Sequence, residues 1–261
     1  MHRFHGIGMI QAAWMAAALL VSAPLLAGGD PDLGMSRSLG IEEAWVENSA
    51  YLTAGLDDDT SAGNTLGLAG EAEFAFNPSL GGEVDFPGVV MRQPLGAAPS
   101  TLAPLALGLR AVALRFGDDA SPQAGLLSLE AEGSYWIKPQ TAAFPDLGSA
   151  LTAEGMAGWR WGRVFAQGEY GYNSALGGQG SPGWFANTSL GFRAGLFRPQ
   201  VEADFAGQAP ADDAPAAQCT LVPQLGLDAG DWYWEAGEGF TFTPGEAGSR
   251  AQTLLLVERD L

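Results

Sequence analysis

Residues 196–205 read LFRPQVEADF, a stretch in which polar and apolar side chains alternate. Arg198, Gln200, Glu202 and Asp204 fall on one face of an extended chain, and the residues between them are mostly apolar. A period of two residues is typical of a β-strand with one polar and one apolar side. The stretch therefore predicts a strand that separates water from an apolar environment.

The same alternation recurs along the chain in segments of roughly ten residues, separated by Gly, Pro, Asp and Asn. Short connections follow the second, sixth, eighth and tenth segments, and longer polar or Gly/Pro-rich ones mostly follow the odd-numbered segments. This alternation is typical of barrels with tight turns on one side of a membrane and long loops on the other. The predicted fold class is all-β, a transmembrane antiparallel up-and-down β-barrel of about twelve strands, near residues 41–56, 64–76, 79–91, 102–116, 124–137, 149–161, 163–173, 182–194, 196–207, 217–229, 231–243 and 250–259.

A secreted soluble β-sandwich would show the same alternation, and it is the alternative fold. The composition of the apolar face favours the membrane barrel, because a sandwich core usually carries bulky Val, Ile and Leu, whereas this chain is poor in Ile and its apolar face holds Ala, Leu, Phe and Trp. Aromatic residues near the predicted strand ends match the girdles of membrane barrels. They are Trp159, Trp161, Tyr170, Tyr172, Trp184, Trp232 and Trp234.

Acidic residues dominate the charge of the chain. Its 261 residues include 30 Asp and Glu against 12 Lys and Arg, which gives a formal net charge of -18. Lys138 is the only lysine. Such a chain repels a phosphate backbone, so nucleic acid is excluded as a partner.

Residues 1–27 are predicted to be a secretory signal peptide, because a weakly basic start precedes an apolar run and a small residue, Ala27. The barrel domain then spans residues 28–261. His2 and His5 are the only histidines, so cleavage would leave none for a catalytic triad or an imidazole metal site. We therefore expect no enzymatic activity, no cofactor and no metal. The single Cys219 is expected to be an ordinary thiol.

Acidic residues also form the group that is most informative about function. Glu71 and Glu73 lie about 7 Å apart on one face of their strand, and a turn near Pro78 would bring Glu83 and Asp85 beside them. A turn at Trp161 and Gly162 would set Arg160 beside Arg163 and Glu154 across from Glu169, with Arg110, Arg160, Arg193 and Arg198 as counter-charges. The predicted lumen-lining residues are Glu71, Glu73, Glu83, Asp85, Arg110, Glu130, Glu132, Glu154, Arg160, Gln167, Glu169, Arg198, Glu202 and Asp204.

Three stretches of sequence resemble one family of barrels. They are GEAEFAFNPSLGGEVDFP at residues 70–87, LALGLR at residues 105–110 and EGMAGWRWGRVFAQGEYGY at residues 154–172. Together they resemble the bacterial outer-membrane transporter-like barrels grouped with the phenol-degradation MetA-pathway proteins. The resemblance implies a Gram-negative outer-membrane location, contact with outer-membrane lipid, assembly by the barrel-insertion machinery, and passage of small solutes, cationic or hydrophobic.

Two functions follow from an acidic lumen. In an open barrel the carboxylates would favour cations over anions, which predicts a channel or transporter for small solutes. In a narrow barrel the same carboxylates and arginines would form a hydrogen-bonded network whose role is structural, which predicts a non-conducting barrel with a plugged lumen. A glycosidase is disfavoured, because acidic pairs recur on several strands whereas catalysis needs one pair.

Overall fold

The computed structural model describes residues 35, 39, 41, 44–59, 63–92, 105–118, 121–135, 149–176, 182–208, 217–244 and 250–261. The predicted signal peptide lies outside this range. Among the described residues, no helix has the length and apolar character needed to cross a membrane. The strands are β1 (Ser49–Asp59), β2 (Gly63–Asn77), β3 (Leu80–Arg92), β4 (Leu105–Phe116), β5 (Gln123–Tyr135), β6 (Ser149–Trp161), β7 (Val164–Ala175), β8 (Gly183–Phe192), β9 (Phe197–Gln208), β10 (Gln218–Asp228), β11 (Trp232–Phe242) and β12 (Arg250–Asp260).

The strands form one closed barrel in which each strand pairs antiparallel with its neighbours in sequence. Closure is made by β1 and β12, whose register runs from Ser49 opposite Asp260 to Asp57 opposite Gln252. Beyond that ladder, the amide of Leu261 donates a hydrogen bond to the carbonyl oxygen of Asn48 at 2.9 Å. The predicted fold class and strand number are therefore confirmed.

Side chains alternate between the lumen and the outer surface, as the period of two requires. On β4, Ala106, Gly108 and Arg110 are buried while Leu107 and Leu109 are exposed. Outward-facing leucines, valines and phenylalanines on the other strands are exposed in the same way. The barrel thus presents an apolar outer surface and a largely polar interior, the arrangement that a lipid environment favours.

Aromatic side chains mark the end of the barrel at which the short turns and Ser49 lie, here called the short-turn end. Its outward-facing exposed aromatic residues are Phe76, Phe116, Trp159, Trp161, Phe192, Phe197, Trp232 and Trp234. Tyr170 and Tyr172 are exposed further along β7, while Trp184 is half-buried. Amphipathic rings at this level match the interfacial girdles of membrane barrels.

Glycine allows four of the short turns. Gly117, Gly162, Gly195 and Gly230 have φ angles of 72°, 59°, 67° and 74°, a region that side-chain-bearing residues rarely adopt. Positive φ matches the right-handed twist of the strands that such turns join. These glycines therefore fix the register of the hairpins that position the lumen side chains.

One strand begins later than the sequence predicts. The interpretation of residues 41–56 as a strand is wrong at its start, because β1 begins at Ser49. The described residues before it, Met35, Leu39, Ile41 and 44–48, lie inside the barrel, and most of their side chains are buried. We call this set the lumen plug.

Candidate functional site

Arg110 lies at the centre of a buried ion-pair cluster. Its Nε is 2.6 Å from Glu130 Oε2, and its two terminal nitrogens are 3.0 Å from Glu73 Oε1 and 2.8 Å from Glu83 Oε2. Strand register explains the convergence, because Glu73 pairs with Glu83 across β2 and β3, and Arg110 pairs with Glu130 across β4 and β5. One guanidinium thus links carboxylates from three other strands.

Gly108 makes room for two of these carboxylates. A Cβ atom at this position would collide with Glu130 Oε1 and with Glu83 Oε1. The glycine lies between Glu83 on β3 and Glu132 on β5 in one row across the sheet. The absence of a side chain here therefore lets the acidic residues of neighbouring strands converge.

Further acidic residues surround this cluster. Glu71 pairs with Asp85 in the register that the sequence predicts, and Glu132 follows two residues after Glu130 on β5. Carboxylate oxygens of Glu71, Glu73 and Glu83 lie within 4.8 Å of one another, as do those of Glu83, Asp85 and Glu132. Oxygen donors at this spacing have the chemistry of ligands for hard cations.

Amide side chains donate hydrogen bonds to carboxylates on the opposite wall. Gln224 donates to Glu202 Oε2 at 2.9 Å, and Gln200 donates to Glu235. On β7 and β8, Asn187 donates to Glu169. These amide donors are neutral, so they add no counter-charge to the carboxylates of this wall.

Two of the predicted counter-charges lie at the short turns instead of among the carboxylates. The Nη2 of Arg160 donates to the carbonyls of Asp118 and Ser121 at 3.0 and 2.9 Å. Arg198 donates to the carbonyl of Gly195 and bonds Asp228 at 2.7 Å. Both guanidinium groups therefore stabilise turns, and Arg110 is the buried arginine within the described residues that pairs with the central carboxylates.

The predicted register of β6 and β7 is wrong by two residues. The turn consists of Gly162 and Arg163, so Arg160 pairs with Phe165 and Glu154 pairs with Gly171. The sequence shows a turn near Gly162 but does not say which residues flank it, and moving the centre of a hairpin by one residue shifts every partner by two. Glu154 and Glu169 are therefore diagonal neighbours.

The lumen plug forms an apolar core at the short-turn half of the lumen. Met35, Ala44 and Trp45 are at most 2% exposed. They pack with inward-facing residues of the wall, which are Val112, Ala124, Leu126, Met156 and Phe165. The plug therefore fills this part of the barrel with side chains.

Polar contacts also hold the plug to the wall. Ser128 donates to the carbonyl of Ala44, and Arg110 donates to the carbonyl of Trp45 at 3.1 Å. The amide of Leu39 donates to Gln224 Oε1 at 3.1 Å. A cavity of about 10 Å³, close to the space that one water molecule needs, lies between the plug and β2–β4. The plug therefore contacts opposite sides of the barrel and leaves little space against the wall there.

None of the fourteen predicted lumen-lining residues is exposed: ten are buried, and Asp85, Glu132, Glu154 and Asp204 are half-buried. Four further buried acidic or amide residues were not predicted from the sequence as lumen-lining, namely Glu47, Gln224, Glu235 and Glu258. Alternation within β10, β11 and β12 predicts all of them except Glu47, which belongs to the plug.

Comparison with solved structures agrees with this architecture. The NanC porin matches with a TM-score of 0.55 at 6% sequence identity, over 81% of this chain and 100% of that one. The fold is that of an outer-membrane β-barrel. OccAB4 of Acinetobacter baumannii matches at a TM-score of 0.43 and 6% identity, over 79% of this chain and 56% of that one. LpxR of Salmonella typhimurium matches at a TM-score of 0.46 and 11% identity, over 82% of this chain and 100% of that one.

No protein-family model and no curated protein matches the sequence. The resemblance to the MetA-pathway family is therefore not shown. At identities this low, the solved structures establish the shared fold alone.

Proposed function

We propose that this protein is an outer-membrane channel for small solutes, with an acidic lumen that favours cations. The observation that carries the proposal is the excess of inward-facing carboxylates around Arg110. A wall lined by one sign of charge concentrates ions of the opposite sign and repels ions of the same sign. Membership of the MetA-pathway family and passage of hydrophobic solutes are finer predictions within this proposal.

The proposed location is the outer membrane of a Gram-negative bacterium. Its support is the apolar outer band with aromatic residues at the short-turn end, a surface suited to lipid. The barrel-insertion machinery is the proposed assembly partner. Fractionation of expressing cells should recover the protein in the outer membrane, and recovery in the soluble periplasm would contradict the proposal.

The proposal includes no enzymatic activity. No histidine follows His5 in the sequence, so a serine or cysteine nucleophile would lack the imidazole base that usually activates it. Purified barrel should therefore leave phospholipid vesicles chemically unchanged. Release of fatty acid from them would contradict this part of the proposal.

Ion selectivity tests the channel directly. In a planar bilayer with a KCl gradient, the reversal potential should indicate cation selectivity. The double variant Glu71→Gln with Glu73→Gln should lower the cation-to-anion permeability ratio by a factor of about two or more, because it removes two lumen charges at constant volume. Glu238→Gln, on the exposed outer face of β11, is the matched control and should leave the ratio unchanged. Anion selectivity in the unmodified protein would contradict the acidic channel.

The lumen plug favours a second candidate function, a non-conducting structural barrel. Its apolar core fills the short-turn half of the lumen, and Arg110 contacts the plug through the carbonyl of Trp45. Under this alternative, the protein would insert into bilayers as a folded barrel and carry no current in any of the variants described here.

A further inference from the structure

We infer that the lumen plug is a displaceable gate, which closes the short-turn end when docked and opens the pathway when it leaves. This inference rests on the proposed channel function and specifies its regulation. It is carried by the shape of the wall around the plug, by the point at which the plug joins β1, and by the ion pairs of the wall that do not involve the plug.

A glycine on the wall of the barrel creates the space into which the plug fits. A Cβ atom at Gly158 would lie 2.7 Å from Met35 Sδ, 2.8 Å from Met35 Cε and 3.9 Å from Ala44 Cβ. These are the three nearest atoms to that position, and all of them belong to the plug. Glycine weakens the interior of a strand, and it often marks a close approach by another segment. Gly158 therefore serves the docked plug, since no neighbouring part of the wall approaches it as closely.

Two further glycines receive other parts of the plug. A Cβ atom at Gly81 would lie 2.8 Å from Val46 Cγ1, and one at Gly237 would lie 2.8 Å from Leu39 Cδ1. Gly81 is on β3, Gly158 on β6 and Gly237 on β11. The wall is thus shaped for this segment on three sides of the lumen, which indicates a specific docked position.

Asn48 anchors the plug where it joins β1. Its Oδ1 accepts a hydrogen bond from the amide of Ala75 at 3.0 Å, and its carbonyl accepts one from the amide of Leu261 at 2.9 Å. The ladder between β1 and β12 begins at Ser49, after the plug. Rotation about the residues next to Asn48 can therefore move the plug while the barrel stays closed.

Departure of the plug leaves the charged groups of the wall paired. Arg110 keeps its bonds to Glu73, Glu83 and Glu130 when its bond to the carbonyl of Trp45 is lost. Gln224 keeps its bond to Glu202. Water entering the lumen can replace the backbone groups that the plug supplied. The ion pairs of Arg110 with the wall therefore persist in the undocked state, which makes that state an accessible conformation.

A disulfide provides the first test, because it can lock the plug in place. The Cβ of Ala44 lies 3.9 Å from the Cβ position of Gly158, within the range of about 3.5–4.5 Å found in disulfides. The variant combines Ala44→Cys and Gly158→Cys with Met35→Ala, which removes the side chain that a Cβ at position 158 would meet, and with Cys219→Ser, which removes the native thiol. In a planar bilayer, the oxidised protein should stay closed, and reduction by dithiothreitol should raise the open probability by about fivefold or more.

Filling the space at Gly158 provides the second test. Gly158→Val should expel Met35 and favour the undocked state. Gly155→Val is the matched control on the same strand, because the nearest atom to its Cβ position is 3.6 Å away in Leu129. Gly158→Val should raise the open probability above that of the unmodified protein, whereas Gly155→Val should leave it unchanged.

Thiol labelling separates failure of the gate from failure of the channel. A single cysteine, Ala44→Cys with Cys219→Ser, is treated with a soluble maleimide in proteoliposomes. Labelling should be slow in this background and about fivefold faster or more when Gly158→Val is added. Equal currents from the oxidised and reduced disulfide variant, or fast labelling in both backgrounds, would overturn the gate. A third outcome is that labelling is slow, that Gly158→Val accelerates it, and that no variant carries current. This outcome would show that the plug moves but would overturn the proposed channel, and with it a gate that regulates conduction.

Discussion

At the scale of single residues, Arg110 makes the most consequential contacts in the lumen. Its side chain is 4% exposed and bonds carboxylates from β2, β3 and β5. Removing charges from water is unfavourable unless each charge is paired and hydrogen-bonded. Arg110 is thus the group that allows Glu73, Glu83 and Glu130 to converge.

The substitution Arg110→Met should lower the free energy of unfolding by roughly 3–5 kcal/mol, because it leaves three buried carboxylates without their cation. Urea-induced unfolding in detergent, followed by tryptophan fluorescence, measures this loss. Arg163→Met, at an exposed turn residue, is the control and should change stability by less than about 0.5 kcal/mol. Equal losses in the two variants would show that the ion-pair cluster contributes nothing specific.

At the scale of elements, the hairpin between β6 and β7 shows how a turn controls the lumen. Gly162 has a φ of 59°, and the adjacent Arg160 donates to its carbonyl and to two carbonyls of the preceding turn. The turn sets the register that places Glu154 and Glu169 diagonally. A change at Gly162 therefore acts on side chains far from the turn itself.

Replacing Gly162 with valine should destabilise the barrel by about 1–2 kcal/mol, because a β-branched residue is strained at positive φ. Gly162→Asn should lower the free energy of unfolding by less, since asparagine tolerates positive φ. Thermal unfolding of the two variants in the same detergent gives the comparison. Open space surrounds the glycine, with no atom within 4 Å of a Cβ, so crowding does not contribute. If Gly162→Asn destabilised the barrel as much as Gly162→Val does, the explanation by backbone strain at positive φ would be contradicted.

Sequence alternation predicted most of these elements, because each face of a strand meets a single environment over its whole length. The β6 strand lies at Ser149–Trp161, as predicted, and the pairing of Glu73 with Glu83 follows from the Asn77–Pro78 turn. The plug was missed because the pattern assigns residues 41–48 to the first strand, which begins only at Ser49. Its apolar residues are matched to glycines of distant strands, and only the closed barrel brings those glycines together.

At the scale of the whole molecule, the closed barrel predicts heat-modifiable migration in SDS gels. Unheated protein should migrate at a different apparent mass from boiled protein, because all strands are paired and detergent meets no open sheet edge at which unfolding can begin. Electrophoresis of heated and unheated samples in detergent is the measurement. Identical mobility would contradict a stable membrane-type barrel.

The pairing of the first strand with the last also bears on how the protein is made. Residues 49 and 260 are neighbours in space yet stand at opposite ends of the described chain. A ribosome must therefore synthesise the chain through β12 before the final ladder can form, and until then β1 presents an unmatched edge. Chains that stop short of β12 would keep two such edges, which are templates for aggregation. The pairing of β1 with β12 therefore acts as a check on synthesis, because a chain without β12 cannot close the barrel in this way.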